Sequence, residues 1–299
     1  GFFEIFNIFA KKILGMDKII GLGNALVDVL ATLKDDTLFD EMGLPKGSMQ
    51  LIDDAKLQQI NIKFSQMKTH LATGGSAGNA ILGLACLGAG TGFIGQVGND
   101  HYGDFFRKNL QKNNIEDNLL TSEQLPSGVA STFISQDGER TFGTYLGAAA
   151  SLKAEDLTLE MFKGYAYLFI EGYLVQDHEM ILHAIELAKE AGLQICLDMA
   201  SYNIVENDLE FFSLLINKYV DIVFANEEEA KAFTGEEPEE ALRVIAKKCS
   251  IAIVKVGANG SYIRKGTEEI KVSAIPVEKV LDTTGAGDAF FAGTVIGRA

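Results

Sequence analysis

Cysteine is scarce in this 299-residue chain, and its three cysteines, Cys86, Cys196 and Cys249, are widely separated. Their spacing provides neither a disulfide framework nor the paired ligands of a zinc site, so we expect buried thiols in a reducing compartment. Basic residues are also in deficit, because 26 lysines and arginines stand against 41 acidic residues, which gives a net charge of −15. A general nucleic-acid binder needs a basic face, so the composition argues against that class.

Long uninterrupted apolar runs are missing as well. The uncharged stretch from Leu71 to Asn99 contains too many polar residues and glycines for a transmembrane helix. Residues 1–15 are apolar, but they lack the basic leading region and the cleavage site of a signal peptide. Because Met16 directly precedes a strand-like segment, we interpret residues 1–15 as a non-native extension, with an amphipathic surface helix as the alternative. The composition, 47% hydrophobic and 22% charged, is typical of a soluble globular protein, which we expect in the cytoplasm without a membrane partner.

A glycine-rich loop near the end of the chain carries the clearest chemical signal. It reads Asp-Thr-Thr-Gly-Ala-Gly-Asp over 282–288 and leads into an apolar helical pattern. Gly285 and Gly287 permit a turn that points several N–H groups in one direction, an arrangement we call the amide cup (residues 285–287). Such a cup, reinforced by the positive end of a helix, suits a transferring phosphoryl group, and Asp288 beside it can accept a proton from an attacking hydroxyl. The alternative is an ordinary turn whose aspartates cap helices.

A second glycine cluster lies at 73–80 and reads Thr-Gly-Gly-Ser-Ala-Gly-Asn-Ala before an apolar helical pattern. Gly74 and Gly75 let a small ligand approach the backbone, and Asn79 offers both a donor and an acceptor. The segment lacks the lysine and hydroxyl of a P-loop and does not match the dinucleotide fingerprint. We therefore expect it to contact a neutral substrate rich in hydroxyl groups. Asp28, between two apolar segments, needs a partner and is predicted either to accept substrate hydroxyls or to cap a local turn.

The second half of the chain alternates strand and helix patterns, which predicts a parallel sheet covered by helices on both faces. Ligands bind such sheets at the carboxyl ends of the strands, where Glu171, Asp198 and Asn226 directly follow apolar runs. Two short extended runs around residues 136–139 predict a hairpin. The apolar runs are 166–170, 193–197, 222–224 and 251–254, and the helical patterns are His178–Ala191, Leu209–Lys218, Glu227–Phe233 and Pro238–Lys248.

The two glycine motifs, in this order and with Gly-Gln-Val-Gly-Asn-Asp at 95–100 between them, resemble the ribokinase-like (PfkB) sugar kinase family. The resemblance extends from about Asp17 to Gly293, and the segment Gly-Asn-Ala-Leu-Val-Asp at 23–28 is most similar to the adenosine-kinase-like branch. It implies an α/β fold with a mostly parallel central sheet flanked by helices and a small β-sheet lid. The implied division is a nucleotide- and substrate-binding domain of residues 16–28, 55–126 and 149–299, with a discontinuous lid of residues 29–54 and 127–148.

The resemblance also implies ATP-dependent phosphorylation of the primary hydroxyl of a sugar or ribonucleoside, with adenosine or a related nucleoside favoured. The alternatives are a fructokinase- or ribokinase-type sugar kinase and a non-catalytic sugar- or nucleotide-binding protein on the same fold. The implied catalytic residues are Asp288, Gly285, Ala286 and Gly287. Substrate contacts are implied for Asn24, Asp28, Gly74, Gly75, Asn79, Arg140 and Glu171, and nucleotide contacts for Asp198, Asn226, Gly257, Ala258, Gly260 and Thr283. Magnesium would be held near Asn226 and Glu229, and a monovalent cation such as potassium by Asp282 and Thr284.

Several of these roles have structural alternatives. Arg140 either faces the substrate or pairs with Asp137 or Glu139, and Asn226 with Glu229 is also a helix-capping pattern. Phe93, Phe133 and Phe142 either stack on a nucleobase or belong to the core. Similar kinases continue beyond the position of Gly293 through helices that shape the adenine pocket, so we expect the present chain end to weaken solubility and ATP binding. Exposed edges of the lid sheet could pair two copies into a homodimer.

Overall fold

The computed structural model describes residues 18–277 and 285–296. The predicted N-terminal extension and the predicted contacts of Asp282, Thr283 and Thr284 lie outside these residues. No helix within the described ranges is long and apolar enough to span a membrane.

Fourteen described strands, numbered along the chain, form two sheets. The larger sheet has the order β14-β13-β12-β11-β10-β9-β1-β5-β6, and it is parallel from β12 to β6 with two antiparallel strands at one edge. The alternation of strands and helices thus predicted the sheet correctly, and the fold is ribokinase-like. Its strands are β1 (Ile19–Leu22), β5 (Thr91–Gly98), β6 (Ile115–Ser122), β9 (Tyr167–Glu171), β10 (Gln194–Asp198), β11 (Ile222–Asn226), β12 (Ile251–Lys255), β13 (Ser261–Lys265) and β14 (Glu268–Val272).

The smaller sheet has five strands in the order β3-β8-β7-β2-β4. The predicted hairpin is confirmed, because β7 and β8 pair antiparallel around residues 135–139. The sheet also includes β4 and the start of β2, which lie in ranges that the sequence assigned to the larger domain. Its strands are β2 (Leu26–Thr32), β3 (Met49–Leu51), β4 (Thr69–Gly74), β7 (Gly128–Ile134) and β8 (Arg140–Tyr145).

The described α-helices pack mainly on the larger sheet, and the four helices predicted in the second half end within two residues of their predicted bounds. Local capping explains several of these bounds. The Asp100 side chain accepts hydrogen bonds from the N–H groups of Tyr102 and Gly103 at the start of α4, and Gly235, with φ of +77°, ends α8. The helices are α1 (Thr37–Met42), α2 (Asp54–Phe64), α3 (Ser76–Cys86), α4 (His101–Lys112), α5 (His178–Glu190), α6 (Tyr202–Asn207), α7 (Leu209–Lys218), α8 (Glu227–Thr234), α9 (Pro238–Ala246) and α10 (Ala286–Ile296).

Apolar side chains cover both faces of the larger sheet. Along β9, for example, Leu168 and Ile170 enter the core on one face, whereas Tyr167 and Phe169 enter the core on the other. Strands that are buried on both faces read as continuous apolar runs, which is why they were visible in the sequence. Phe291 of α10 packs on this second face, with its ring centroid 4.0 Å from that of Phe169.

Two of the three phenylalanines that could stack on a nucleobase belong to the core instead. Phe93 and Phe133 are fully buried, and their rings pack against those of Phe106 and Phe64. They are therefore unavailable to stack on a ligand. The expectation of buried thiols is wrong for Cys86, which is exposed at the last residue of α3.

Candidate active site

The polar residues that follow the apolar runs meet at one edge of the larger sheet. Glu171, Asp198, Asn226 and Lys255 are the last residues of β9, β10, β11 and β12. Register places Glu171 beside Asp198 and Asn226 beside Lys255 on neighbouring strands. Because parallel strands end on the same side, four separate stretches of sequence supply one group of polar side chains.

Asp288 lies in the first turn of α10 and faces α3. Its carboxylate accepts hydrogen bonds from Ser76 Oγ at 2.7 Å and from Asn79 Nδ2 at 3.1 Å. Burial raises the pKa of Asp288 above its ordinary value, while the two hydrogen bonds oppose that rise; Asp198 raises it further and Lys255 lowers it. The two glycine motifs, more than 200 residues apart, therefore meet at this carboxylate.

Two features of residues 285–289 are compatible with the predicted amide cup. Gly285 adopts a φ of +70°, which favours glycine. The N–H of Ala289 donates to the carbonyl of Gly285 at 2.8 Å, so the N–H groups of Ala286 and Gly287 precede the first hydrogen bond of the helix. N–H groups at the positive end of a helix attract anions, which is the property that the predicted amide cup requires.

Two clefts, each of about 420 Å³, include direct neighbours of Asp288. The first cleft lies between the two sheets and includes Ser76, whose hydroxyl donates to Asp288. The second cleft includes Gly287, the residue directly before Asp288. Asp288 is thus hydrogen-bonded to a residue of the first cleft and adjacent along the chain to a residue of the second. Polar residues of the first cleft include Asn24, Thr144, Glu171 and Gln176, and the second is lined by Asn226, Glu227, Glu228, Lys255, Gly257, Gly260, Ala286, Gly287 and Phe290.

Glu171 is a buried carboxylate that joins three backbone segments. Its Oε1 accepts hydrogen bonds from the N–H and the Nδ2 of Asn24 at 2.8 and 2.7 Å, and its Oε2 accepts one from the N–H of Ala77 at 2.8 Å. Burial raises its pKa to about 7, although these donors act in the opposite direction. Gly23 has no room for a side chain, because a Cβ there would lie 2.6 Å from Oε2. Glu171 thus fixes the loop after β1 against the start of α3.

Asp28 lies within β2, so it is not the cap of a turn. Burial raises its pKa to about 6, and the positive charge of Arg140 lowers it. A Cβ on Gly74 would lie 2.3 Å from Asp28 Oδ1, which explains why glycine occupies this position on the neighbouring strand. Asp137 binds Lys46 at 2.6 Å, and the positive charge of Arg140 lowers the pKa of Asp28. Contact between Arg140 and the substrate stays a prediction.

The capping alternative for Asn226 and Glu229 is observed. Asn226 Oδ1 accepts the N–H of Glu229 at 2.8 Å, and Glu229 Oε2 accepts the N–H of Asn226 at 2.7 Å. Burial raises the pKa of Glu229 to about 7, and the nearby Asp198 raises it as well. Asn226 nevertheless lines the second cleft, so capping positions this pair without excluding a role toward a cation. Gly257 and Ala258 lie in a short turn after β12 that also borders this cleft through Gly257 and Gly260.

The sequence and the fold of this chain are similar to those of known kinases. The family model described as "pfkB family carbohydrate kinase" matches residues 48–299. The chain belongs to the pfkB family of carbohydrate kinases. Kinases of this kind are phosphotransferases that act on an alcohol group.

Solved structures of similar fold include a probable sugar kinase from Rhizobium etli, which is 33% identical with a TM-score of 0.82, over 95% of this chain and 88% of that one. An adenosine kinase from Sinorhizobium meliloti is 32% identical with a TM-score of 0.82, over 94% of this chain and 87% of that one. Adenosine kinase 2 of Arabidopsis thaliana is 25% identical over 92% of this chain and 86% of its own length. The guanosine-inosine kinase of Escherichia coli is 26% identical over 84% of this chain, but the match spans 61% of that enzyme's length.

Sequence reasoning missed Ser76 as a partner of Asp288, and it assigned Asn79 to the substrate although its amide donates to Asp288. It also left Lys255 without a role, whereas Lys255 Nζ lies 3.1 Å from Asp198 Oδ2. The position of Ser76 directly after Gly75 was a usable signal, because this hydroxyl begins the helix that follows the second glycine cluster. The partner itself, far away along the chain, gave no local signal.

We expect Ser76→Ala to lower turnover about 10- to 100-fold at pH 7, the usual effect of losing a hydrogen bond to a charged group. Without the Ser76 donor the pKa of Asp288 should rise, so the acid limb of the pH–rate profile should move to higher pH. Ser65→Ala, on a serine whose hydroxyl donates to the Ile62 carbonyl at 2.8 Å, is the matched control and should leave the profile unchanged. An unshifted acid limb in Ser76→Ala would contradict the prediction that Asp288, with Ser76 as its donor, is the group that accepts the proton.

Proposed function

We propose that the protein transfers the γ-phosphoryl group of ATP to the primary hydroxyl of a ribonucleoside, with adenosine or a close relative preferred. The observation that carries the proposal is that Asp288 accepts a hydrogen bond from Ser76 of the first cleft and directly follows Gly287 of the second. An acceptor in the first cleft and a nucleotide in the second would meet at this carboxylate. Family membership supports the reaction class, and the adenosine kinases among the similar proteins support the acceptor.

The lining of the first cleft favours a nucleoside over a simple sugar. It includes the polar side chains of Asn24 and Glu171 as well as Gly75, and Asp28, which lies outside the cleft lining beside Gly74, also suits hydroxyl groups. The remainder is mainly apolar, which suits the faces of a nucleobase, whereas a free sugar would leave this surface uncovered. The apolar residues of the cleft include Leu26, Met49, Leu51, Leu146, Leu152, Leu174, Met180 and Ile204.

The smaller sheet acts as a lid in this proposal. Met49 and Leu51 of its edge strand β3 are 50% and 62% exposed, yet both line the first cleft. A bound nucleobase would cover these side chains and exclude water from the reacting groups, which favours transfer to the acceptor over hydrolysis of ATP.

In the transfer step the acceptor oxygen forms a bond to the γ-phosphorus while the bond from that phosphorus to the β–γ bridging oxygen breaks, and ADP leaves. The hydroxyl proton passes to Asp288, whose carboxylate is oriented by Ser76 and Asn79. The amide cup donates to the phosphoryl oxygens as negative charge develops on them. Positioning and charge stabilisation supply most of the rate in this class of reaction.

Asn226 of the second cleft, together with the buried Glu229 that is hydrogen-bonded to it, fits a magnesium ion that accompanies the phosphates. Within residues 18–277 and 285–296, no set of three acidic, histidine or cysteine side chains is arranged to hold a metal alone. Magnesium commonly uses one or two carboxylates together with substrate phosphates, and Asn226 and Glu229 would provide the protein's share. Burial raises the pKa of Glu229, Asp198 raises it further and Lys255 lowers it, and a divalent cation would favour the ionised carboxylate. When bound, the ion would neutralise charge on the phosphates.

The acceptor assignment is tested by measuring ADP release with adenosine, guanosine, inosine, ribose and fructose. Covering about 100 Å² of apolar surface stabilises a complex by about 2.5 kcal/mol, so we expect kcat/KM to favour a nucleoside over ribose by ~70-fold. Equal values would leave the kinase reaction but overturn the nucleoside preference. Saturable binding without turnover for every acceptor would instead favour a non-catalytic binding protein.

A further inference from the structure

Lys255 is a partly buried cation for which neither the sequence motifs nor the transfer step described above provides a role. It ends β12, and its side chain is 17% exposed. Among the residues that the structure describes, its ammonium makes one hydrogen bond, to Asp198 Oδ2 at 3.1 Å. An ammonium has three N–H donors, so this ion pair leaves donor capacity unused.

The ammonium lies beside the amide cup. A Cβ placed on Gly287 would be 3.2 Å from Lys255 Nζ, so the ammonium lies next to the first turn of α10, where glycine leaves room for it. Lys255, Ala286 and Gly287 line the same cleft. The backbone donors and the cation therefore face one space in which a phosphoryl group would be held.

The charges around Lys255 keep it protonated. Burial opposes the positive charge, but Asp198, Glu229 and Asp288 outweigh this effect and raise the pKa of Lys255 above its ordinary value. Asp198 is held independently, because its Oδ1 accepts the N–H of Ala200 at 2.9 Å. Asp198 Oδ2 is thus arranged to hold the ammonium at the cleft. If the ammonium turned toward an anion, Asp198 Oδ1 would still accept the N–H of Ala200.

We propose that Lys255 is a further catalytic residue, whose ammonium binds the phosphoryl group during transfer and stabilises the negative charge on its oxygens. The inference rests on the proposed kinase function. Lys255 takes no part in the proton balance: the acceptor oxygen bonds to phosphorus, the bond to the bridging oxygen breaks, and the proton goes to Asp288. The ammonium stays protonated and contributes a charge-assisted hydrogen bond in addition to those of the backbone.

A purely structural role is the competing explanation, since a buried ion pair broken on one side leaves an uncompensated charge. Four variants separate a catalytic role of Lys255 from a purely structural one. They are Lys255→Met, Lys255→Arg, Asp198→Asn, and the double variant Lys255→Met/Asp198→Asn, in which both charges are removed. Lys189→Met is the matched control, because Lys189 also forms an ion pair, with Asp221 at 2.6 Å, at the end of α5. Each protein is assayed for thermal stability, for kcat with the best acceptor, and for the dissociation constants of ADP and a non-hydrolysable ATP analogue.

We expect Lys255→Met to lower kcat about 10²- to 10³-fold and Lys255→Arg to recover part of this loss. The double variant should regain thermal stability and remain slow, and Lys255→Met should lose about tenfold more affinity for the ATP analogue than for ADP. Recovery of kcat in the double variant, or equal losses of ADP and analogue affinity, would overturn the proposal.

The binding measurement separates this proposal from the proposed function. If the wild-type protein binds nucleotides but phosphorylates no acceptor, the kinase function fails, while the preference for the ATP analogue over ADP still tests contact between Lys255 and the terminal phosphate. If turnover is robust and Lys255→Met matches the wild type, the role of Lys255 alone fails. A wild-type protein that binds neither nucleotide overturns both.

Discussion

Replacing Asp288 with asparagine is expected to lower kcat by about 10²- to 10⁴-fold, the usual contribution of a general base, and to leave nucleotide affinity nearly unchanged. The substitution preserves the shape of the side chain and one acceptor oxygen for Ser76 or Asn79. It removes the group that takes the acceptor's proton. The effect should therefore fall on turnover measured at saturating concentrations of both substrates.

The control for this prediction is Asp208→Asn, since Asp208 lies at the start of α7, where its carboxylate faces His178 at 3.1 Å. That variant should retain wild-type turnover. A wild-type-like kcat in Asp288→Asn would remove the base assignment, and a parallel loss of nucleotide binding would indicate that the turn before α10 had been disturbed instead.

The second large effect is expected at Glu171. Glu171→Gln offers one acceptor oxygen where the carboxyl group offers two, so either Asn24 or the N–H of Ala77 loses its acceptor. A buried donor left unsatisfied lowers the free energy of unfolding by about 1–3 kcal/mol. The loop after β1 and the start of α3 should loosen together, which we expect to appear as weaker acceptor binding as well as lower stability.

Glu171 should also make stability depend on pH. Burial raises its pKa from 4.5 to about 7 in the folded protein, so the folded state binds more protons than the unfolded state between these values. Its contribution is fully present below about pH 4.5, is lost as the pH rises toward 7, and changes little above that. Asp28, with a pKa of about 6, and Glu229, with a pKa of about 7, act with the same sign.

The measurement is urea unfolding of the wild type and Glu171→Gln at pH 5, 6, 7 and 8. The wild type should be more stable at pH 5 than at pH 8, and the substitution should reduce this difference by at most about 3 kcal/mol. The deficit of the variant should thus be larger at pH 5 than at pH 8. An identical pH dependence in both proteins would mean that Glu171 titrates in the folded state as it does in the unfolded chain.

The sequence predicted those parts of the site that depend on local pattern. Glu171 and Asp198 were identified because each directly follows an apolar run, and a parallel sheet brings the ends of such runs together. Asp288 was identified because a glycine turn before an apolar helix indicates an anion-binding helix end. These signals lie within a few residues of the side chain concerned.

Contacts between distant segments could not be predicted in the same way. Ser76 and Asp288 are separated by 212 positions, and no local property of either residue indicates their hydrogen bond. Strand β4 was missed because its last residues belong to the second glycine cluster, which reads as a loop, and the need for glycine at position 74 becomes visible only with Asp28 beside it. The charge of Arg140 acts on Asp28 across the packed smaller sheet, an arrangement that no local pattern indicates.

The most direct test of the central claim is a crystal structure of the protein with adenosine and a non-hydrolysable ATP analogue bound together. The claim predicts the primary hydroxyl of adenosine about 2.6–3.2 Å from the Asp288 carboxylate, with the terminal phosphate against the N–H groups of residues 285–287. A terminal phosphate bound away from these N–H groups, or an acceptor hydroxyl directed away from Asp288, would contradict it.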